Sequence, residues 1–510
     1  MKGLEHPGLT RRDFGRLVAT MGALGCIEPH TVARALGNSP KRLSWMAYRT
    51  AGAEGTWELT DVEGTVPKDL DGTLFRVAPG QSENHGVVLQ HLFDGDAFLS
   101  GFGFRDGKVS LTARFLETPQ RREELDAGRM LYSEFGTAPP PSPDGAKPGL
   151  RGKNQPSVNV VPWDGRLLGL SEGGHPTAID RDTFAYQGPW DFHGTLPSYI
   201  PFTAHPKVDP ATGEAYGFGV MQGPALTLHV FRMEPDGKLT ELHAVPQGGY
   251  FMIHDMLLSE NHFAFIIPPV RFELAELFSG KGSPADALQY FESEPTKILV
   301  LRRDGTGDPI VVEQPANMVF HNGNAWEKDG KLYLDTILSP HGDVLELLHS
   351  FAKEKLVLPE ADQQLTRLEI DLAQGRLLSR NVFAEDQEFP RYDIRDTGRD
   401  ARYLYTMGSG IEEDPLASTF LARHDLHAGT TARVDAEPGR ALGETVFVPR
   451  SQRADDGWLL LQGYDARRDE NYLEIRDAET LDFASRAWTG QHFPLGFHGN
   501  FVSGVHVGNP

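Results

Sequence analysis

Asp-Gly pairs recur along this 510-residue chain, and short apolar runs lie between them. An Asp-Gly pair favours the positive φ angles of a tight hairpin turn, and the intervening runs have the length of β-strands. Three such runs are Lys297 to Leu301, Lys331 to Leu334 and Trp458 to Leu461. Pairs of this kind begin at Asp94, Asp106, Asp164, Asp236, Asp304, Asp329 and Asp456. The pattern predicts a mostly β protein.

The hairpins continue through most of the chain without a clean sequence repeat. Many short hairpins of this kind fit a β-propeller or a large barrel better than a sandwich, although periodicity alone does not count the blades. Apolar residues make up 39% of the chain, which is enough for a large core. A large closed β architecture is therefore expected.

The overall charge excludes one class of partner. The formal net charge is −22, and no segment is strongly basic. A nucleic-acid partner requires a patch of lysine and arginine that neutralises phosphates. We therefore expect no nucleic-acid partner.

The first 38 residues have the pattern of an export signal. Arg11 and Arg12 precede a modest apolar stretch, Leu17 to Ile27, and Ala33-Arg34-Ala35 offers a small-residue cleavage site. Paired arginines before a weakly hydrophobic stretch are typical of twin-arginine signals. The sequence thus predicts a twin-arginine signal over residues 1–38, the export machinery as a partner and the periplasm as the location. The alternative is an amphipathic basic helix that belongs to the fold.

Four widely separated histidines are candidate metal ligands. They are His205 in TAHPKVD, His254 in FMIHDM, His321 in VFHNGNAWE and His498 in PLGFHGNF. Neutral imidazole is a common protein ligand for iron, zinc and copper, so four histidines that meet at one point would hold a divalent ion. No HExxH or CxxC motif marks a local metal site, and spacing alone leaves open that each histidine is structural.

The surroundings of these histidines resemble the carotenoid cleavage oxygenase family from about Asp61 to Phe501. The motifs that carry the resemblance occur in the order that the family shows, and each histidine motif falls between its expected neighbours. They are GTVPKDLDGTLFRVAPG (Gly64 to Gly80), HLFDGDAF (His91 to Phe98), LYSEFGT (Leu131 to Thr137), GRLLGLSEGGHPTAID (Gly165 to Asp180), EFPRYD (Glu388 to Asp393), GETVFVPR (Gly443 to Arg450) and DDGWLL (Asp455 to Leu460).

The resemblance implies an all-β fold, a seven-bladed β-propeller with a helical and loop dome over the metal face, formed by residues 39–510 as a single domain. It also implies that the four histidines hold Fe(II) on the propeller axis. Three glutamates match the family's supporting carboxylates, which accept the second N–H of the ligand rings. By this match Glu172 supports His254, Glu388 supports His321 and Glu444 supports His498.

The reaction implied by the resemblance is Fe(II)-dependent cleavage of a C=C bond in a carotenoid or apocarotenoid with O₂, which gives two carbonyl products. The substrate is then an apolar conjugated small molecule, and no catalytic residue is required beyond the metal centre. Two alternatives stay open: a dioxygenase of the lignostilbene type that cleaves stilbenes, and a non-catalytic propeller that binds an apolar ligand.

Two positions depart from the family pattern. Val158 lies where many bacterial members have a threonine beside the open side of the iron. Ser171 lies where stilbene-cleaving members have a lysine that holds a phenolic oxygen, which favours a carotenoid or apocarotenoid over a hydroxystilbene.

Apolar residues between Phe272 and Phe291 have partly helical spacing. This segment is interpreted as a helix pair that packs on the β core. The alternative is a substrate entrance that makes peripheral contact with a membrane.

Overall fold

The computed structural model describes residues 41–141, 152–221, 226–247, 252–273 and 282–507. The predicted signal over residues 1–38 and the domain boundary at residue 39 lie outside these ranges and stay predictions. Three α-helices are described: α1 Leu43–Tyr48, α2 Pro119–Ala127 and α3 Val344–His349. Two short 3₁₀ turns occupy Ala285–Ala287 and Ile394–Asp396.

Strands account for most of the described structure. The first group, in chain order, is β1 Gly55–Leu59, β2 Val62–Gly64, β3 Gly72–Pro79, β4 Glu83–Asn84, β5 Val87–Val88, β6 Ala97–Arg105, β7 Lys108–Phe115, β8 Asn159–Trp163, β9 Arg166–Leu170, β10 Thr177–Ile179, β11 Tyr186–Pro189, β12 Lys207–Val208, β13 Ala215–Met221, β14 Thr227–Met233, β15 Leu239–Pro246, β16 Leu257–Leu258, β17 His262–Ile267, β18 Val270–Phe272, β19 Leu288–Tyr290, β20 Thr296–Arg302 and β21 Ile310–Gln314.

The second group of strands is β22 Asn322–Lys328, β23 Lys331–Leu338, β24 Gln364–Asp371, β25 Arg376–Glu385, β26 Glu388–Arg391, β27 Tyr403–Gly408, β28 Phe420–Asp425, β29 Thr430–Asp435, β30 Arg440–Pro449, β31 Gly457–Asp465, β32 Glu470–Asp477, β33 Phe483–Trp488 and β34 Gly499–Ser503.

Seven antiparallel sheets of four or five strands are the blades of a propeller in the described part of the chain. Blade 1 is β1-β7-β6-β3-β34, blade 2 is β11-β10-β9-β8, blade 3 is β12-β13-β14-β15, blade 4 is β16-β17-β20-β21, blade 5 is β22-β23-β24-β25, blade 6 is β26-β27-β28-β29 and blade 7 is β2-β33-β32-β31-β30. The expected seven-bladed β-propeller is confirmed.

The Asp-Gly pairs explain several of the tightest connections. The pairs at Asp106, Asp164 and Asp329 form two-residue hairpin turns, with positive φ at both the aspartate and the glycine. This geometry matches the twist of the flanking strands. The pair at Asp94 differs, because it lies in a loop before β6 and its buried carboxylate accepts the amide of Gly136 at 2.8 Å.

Apolar side chains fill the spaces between neighbouring blades. Ile298 and Val300 of blade 4 pack against Leu334 and Leu368 of blade 5, for example, and all four are buried. Removing such side chains from water is the main stabilising contribution to a fold of this kind.

The last strand closes the ring. β34 pairs with β3 of blade 1 in antiparallel register, with Gly499 opposite Arg76. The short strand β2 pairs with β33 and so joins the N-terminal part of the chain to blade 7. Residues more than 400 positions apart are therefore hydrogen-bonded within blade 1.

Helices and loops lie over the face on which the candidate ligands are found. Trp45 of α1 and Val344 of α3 belong to one apolar cluster with Leu92, Phe320 and Phe497. The segment from Phe272 to Phe291 differs from the expected helix pair, because its ends pair as the strands β18 and β19. Residues 274–281 lie outside the described ranges. No helix within the described ranges has the length and apolarity needed to cross a membrane.

Candidate metal centre

Each of the four candidate histidines lies just before a strand at the edge of a different blade. His205 precedes β12 of blade 3, His254 precedes β16 of blade 4, His321 precedes β22 of blade 5 and His498 precedes β34 of blade 1. Edge strands of neighbouring blades contact one another around the ring, as β16 contacts β22 and β34 contacts β8. This placement brings residues that are far apart in sequence to a common centre.

The imidazole rings converge on one another. The Nε2 atoms are 3.0 Å apart between His205 and His254, 3.3 Å between His254 and His321, and 3.1 Å between His321 and His498. One ligand atom from each of the four lies within 4.8 Å of all the others. The convergence expected from the sequence is therefore present in the structure.

Three glutamates orient three of these rings, in the expected pairs. Nδ1 of His254 lies 2.6 Å from Glu172, Nδ1 of His321 lies 2.6 Å from Glu388, and Nδ1 of His498 lies 2.9 Å from Glu444. The glutamates belong to the blades that supply no histidine: Glu172 follows β9 of blade 2, Glu388 begins β26 of blade 6, and Glu444 lies in β30 of blade 7. An Nδ1–H that donates to a carboxylate leaves the Nε2 lone pair free.

Free lone pairs at this spacing repel one another unless a cation lies among them. Burial lowers the pKa of His498 to about 4, partly offset by Glu444, and burial lowers the pKa of His205 well below its usual value. These rings are therefore neutral at neutral pH. Metal–imidazole bonds are about 2.1 Å long, so neighbouring ligand nitrogens around one ion are about 3.0–3.4 Å apart. The observed separations fit a single bound ion.

The supporting carboxylates are held in their ionised form. Burial alone would raise the pKa of Glu444, but Arg391, His498 and Arg76 outweigh it and lower that pKa to about 2. Burial also opposes ionisation of Glu388, and the nearby His321 still lowers the pKa of that carboxyl. Two negative charges beside the four histidines reduce the cost of burying a divalent ion.

Asp255 is a further residue of the centre that the sequence interpretation did not identify. Its carboxylate lies 2.9 Å from Lys207 and accepts the amide of Asn322 at 2.9 Å. Lys207 and Asn322 follow His205 and His321, so Asp255 ties three histidine segments together. The only feature of the sequence that could have identified Asp255 as part of the centre is its position next to His254.

A cavity adjoins three of the histidines, His254, His321 and His498. Apart from the centre itself, most of its wall is apolar or aromatic, and Phe320, Phe389 and Phe497 are each next in sequence to a ligand or supporting residue. The ring of Phe389 stacks on His321, with ring centroids 5.2 Å apart. The cavity can hold an apolar molecule beside the metal site.

Of the two positions that depart from the family pattern, Val158 lines the cavity and Ser171 does not. Val158 lines the cavity together with three of the histidines. Its apolar side chain therefore lies at the position where the family resemblance implies a threonine hydroxyl. Ser171 is absent from the described residues that line the cavity, and its hydroxyl donates to Asn154 Oδ1 at 3.1 Å. The argument against a stilbene substrate that rested on Ser171 is therefore weaker than expected.

Replacing Glu388 with glutamine is expected to weaken metal binding by roughly 10–100-fold. The amide keeps the size of the side chain but removes the charge that polarises His321. Competition with a chelator of known affinity measures the change. Glu385→Gln makes the same substitution at an exposed site three residues earlier and is the matched control. Equal metal affinity in the two variants would contradict the supporting role of Glu388.

Comparisons with known proteins agree with this geometry. The model of the retinal pigment epithelial membrane protein family matches residues 48–503. An apocarotenoid-15,15′-oxygenase from Synechocystis is 31% identical over 90% of this chain and 96% of its own length. The crystal structure of cobalt-substituted Synechocystis ACO has a TM-score of 0.85 and 29% identity, and the match covers 90% of this chain and 98% of that one.

Other relatives of similar identity have names that indicate different substrates. An isoeugenol monooxygenase from Pseudomonas putida is 31% identical over 82% of this chain and 89% of its own length. A resveratrol cleavage oxygenase from Aspergillus fumigatus is 28% identical over 89% of this chain and 94% of its own length. Identity alone therefore does not select among these substrates.

Proposed function

We propose that this chain, which belongs to the retinal pigment epithelial membrane protein family of carotenoid oxygenases, is an Fe(II)-dependent dioxygenase that cleaves a C=C bond of a carotenoid or apocarotenoid. The observation that carries the proposal is the four-histidine centre at the wall of an apolar cavity. His205, His254, His321 and His498 would hold the iron, and Glu172, Glu388 and Glu444 would orient three of the rings.

The proposed reaction balances without a further reductant. One alkene and one O₂ give two carbonyl products, because the C=C bond breaks and each carbon gains one oxygen atom. Ferrous iron, which the four histidines would hold, would supply the redox chemistry that the reaction with O₂ requires. Neutral imidazole ligands suit this ion, and the family membership favours it over zinc or copper.

The protein's own part in the reaction is to place one double bond beside the centre and to exclude water. Phe320, Phe389 and Phe497 surround the histidines with aromatic surface, and Val158 adds apolar surface. Such a wall binds a conjugated chain through burial and ring contacts rather than through a covalent bond. No side chain is required as a nucleophile or a general acid.

Cleavage of a stilbene is the second candidate. The position of Ser171 outside the described cavity wall removes the main argument against it. Relatives named for resveratrol and isoeugenol match this chain about as well as the apocarotenoid enzyme does. The first candidate is preferred because the apocarotenoid oxygenase matches the largest share of both sequences among these three.

Product analysis tests the proposed function. Protein reconstituted with Fe(II) is incubated with apocarotenals and with hydroxystilbenes under ¹⁸O₂, and the aldehydes are identified by mass spectrometry. We expect two labelled carbonyl fragments from an apocarotenal. Cleavage of stilbenes alone would favour the second candidate. Protein that binds an apocarotenal but neither binds Fe(II) nor cleaves any alkene would favour a non-catalytic propeller.

A further inference from the structure

One part of the cavity wall is polar, in contrast to its apolar remainder. Apart from the histidines and their glutamates, the charged or amide side chains and serines of the wall come from blades 5 and 6 and the loops beside them. We call Gln363, Asp386 and Ser418 the polar ledge. Gln363 precedes β24, Asp386 connects β25 to β26, and Ser418 precedes β28.

Backbone hydrogen bonds hold the segments of the polar ledge side by side. The amide of Gln387 donates to the carbonyl of Gln363 at 3.2 Å, and the amide of Thr419 donates to the carbonyl of Gly408 at 2.8 Å. The amide of Ser409 donates to Asp386 Oδ1 at 3.1 Å. The three polar side chains therefore belong to one continuous stretch of the wall.

The polar ledge has unused hydrogen-bonding capacity. Asp386 Oδ2, the amide of Gln363 and the hydroxyl of Ser418 have no hydrogen-bond partner among the residues that the structure describes. Gln387 also lines the cavity, but its side chain bonds to Glu385 and His424 within the blade. Polar groups in a partly buried wall usually have hydrogen-bond partners, so a bound ligand could supply the partners of these three groups.

Asp386 is the strongest acceptor of the ledge. Burial raises its pKa to about 6, with a smaller contribution from Asp362, while the Ser409 amide opposes the shift. The carboxyl is still largely ionised at neutral pH, and a hydroxyl that donates to it would gain a charge-assisted hydrogen bond. Its φ angle of 55° lies in the left-handed region, which aspartate, asparagine and glycine adopt most readily.

We propose that the polar ledge binds a hydroxyl group on the substrate, with Asp386 as the acceptor and Ser418 or Gln363 as the donor. A hydroxyl both donates and accepts, so it can satisfy both kinds of group at once. The inference rests on the proposed function and narrows its substrate class to conjugated alkenes that carry a hydroxyl group. A hydrocarbon end in the same place would leave three polar groups without partners.

Binding without turnover tests the polar ledge separately from catalysis. Iron-loaded protein under nitrogen is titrated with three matched apocarotenals, which carry a ring hydroxyl, no substituent or a ring ketone, and tryptophan quenching gives each Kd. We expect the hydroxylated compound to bind about tenfold more tightly than the unsubstituted one, as for one hydrogen bond to a charged group. The same comparison with a hydroxystilbene and stilbene covers the second candidate.

Two substitutions at Asp386 give opposite expectations. Asp386→Gly removes both oxygens at a φ angle that glycine accepts, so the tenfold preference is expected to disappear while the unsubstituted compound binds as before. In Asp386→Asn the oxygen can keep the Ser409 amide while an NH₂ donor replaces the free acceptor, so the preference is expected to move towards the ketone. Asp329→Gly and Asp329→Asn make the same changes at an exposed turn residue with a similar φ angle of 52° outside the described cavity wall, and should leave the preference unchanged.

The outcomes separate this inference from the proposed function. If the wild-type protein binds hydroxylated and unsubstituted compounds equally well, or if Asp386→Gly weakens both to the same degree, the polar ledge does not bind a hydroxyl. If the preference behaves as expected but no compound is cleaved in air, the ledge is supported and the proposed dioxygenase activity fails.

Discussion

Replacing His321 with alanine is expected to abolish alkene cleavage and stoichiometric iron binding while the propeller stays folded. His321 lies between His254 and His498, with its Nε2 within 3.3 Å of both. Its loss removes one ligand and also leaves Glu388 without the ring that it orients. The fold should survive because β22 pairs with β23 along the rest of the blade.

The measurements are iron content, product formation and the melting temperature. His427→Ala is the matched control, because His427 is an exposed histidine of blade 6 whose Nε2 lies 2.9 Å from Asp400. A ligand role also predicts partial rescue, since added imidazole can occupy the space left in His321→Ala. Undiminished turnover in that variant, or full iron loading without imidazole, would contradict the assignment.

The sequence supplied the candidate residues of the centre, but only the fold explains how they meet. Four histidine motifs and three glutamates were identified from a resemblance, including which carboxylate supports which ring. Their convergence follows from a placement that periodicity does not reveal, because each histidine lies just before an edge strand of a different blade. The strands range from two to ten residues, so the spacing along the chain is too irregular to number the blades.

The cavity was harder to predict than the metal centre. Its wall is assembled from side chains between Tyr48 and His498, and no local motif unites them. Ser171 illustrates the difficulty, because it is next in sequence to Glu172 yet bonds to Asn154 outside the described cavity wall. Phe320, Phe389 and Phe497 do line the cavity beside their sequence neighbours, so proximity in sequence to a site residue does not by itself decide whether a side chain lies in the site.

The polar ledge was also not predictable from the sequence. Gln363, Asp386 and Ser418 lie in three separate connections and would each pass as ordinary loop residues in the sequence. Only the antiparallel order of blades 5 and 6 brings the connections to one edge. A sequence pattern can predict the turns, but not which cavity the turn residues face.

Arg76 links the closure of the propeller to the metal centre. It is fully buried in β3, and it donates to the carbonyls of Glu444 at 2.9 Å and Gly496 at 2.8 Å. Its guanidinium also lies 3.9 Å from the Glu444 carboxylate that supports His498. The residue opposite Arg76 in the sheet is Gly499, where a Cβ would meet Phe75 O at 2.4 Å, so the strands approach closely at this point.

We expect Arg76→Met to lower the stability of the fold by about 3–5 kcal/mol, because two buried carbonyls lose their donor and the buried Glu444 carboxylate loses one of its two nearby arginines. The free energy of unfolding in urea measures this loss. Because Glu444 then holds His498 less firmly, metal affinity should also fall in protein that is still folded. Arg105→Met, an exposed arginine of the same blade, should change neither quantity. A loss of stability with unchanged metal affinity would show that Arg76 serves closure alone, and unchanged stability would overturn the link altogether.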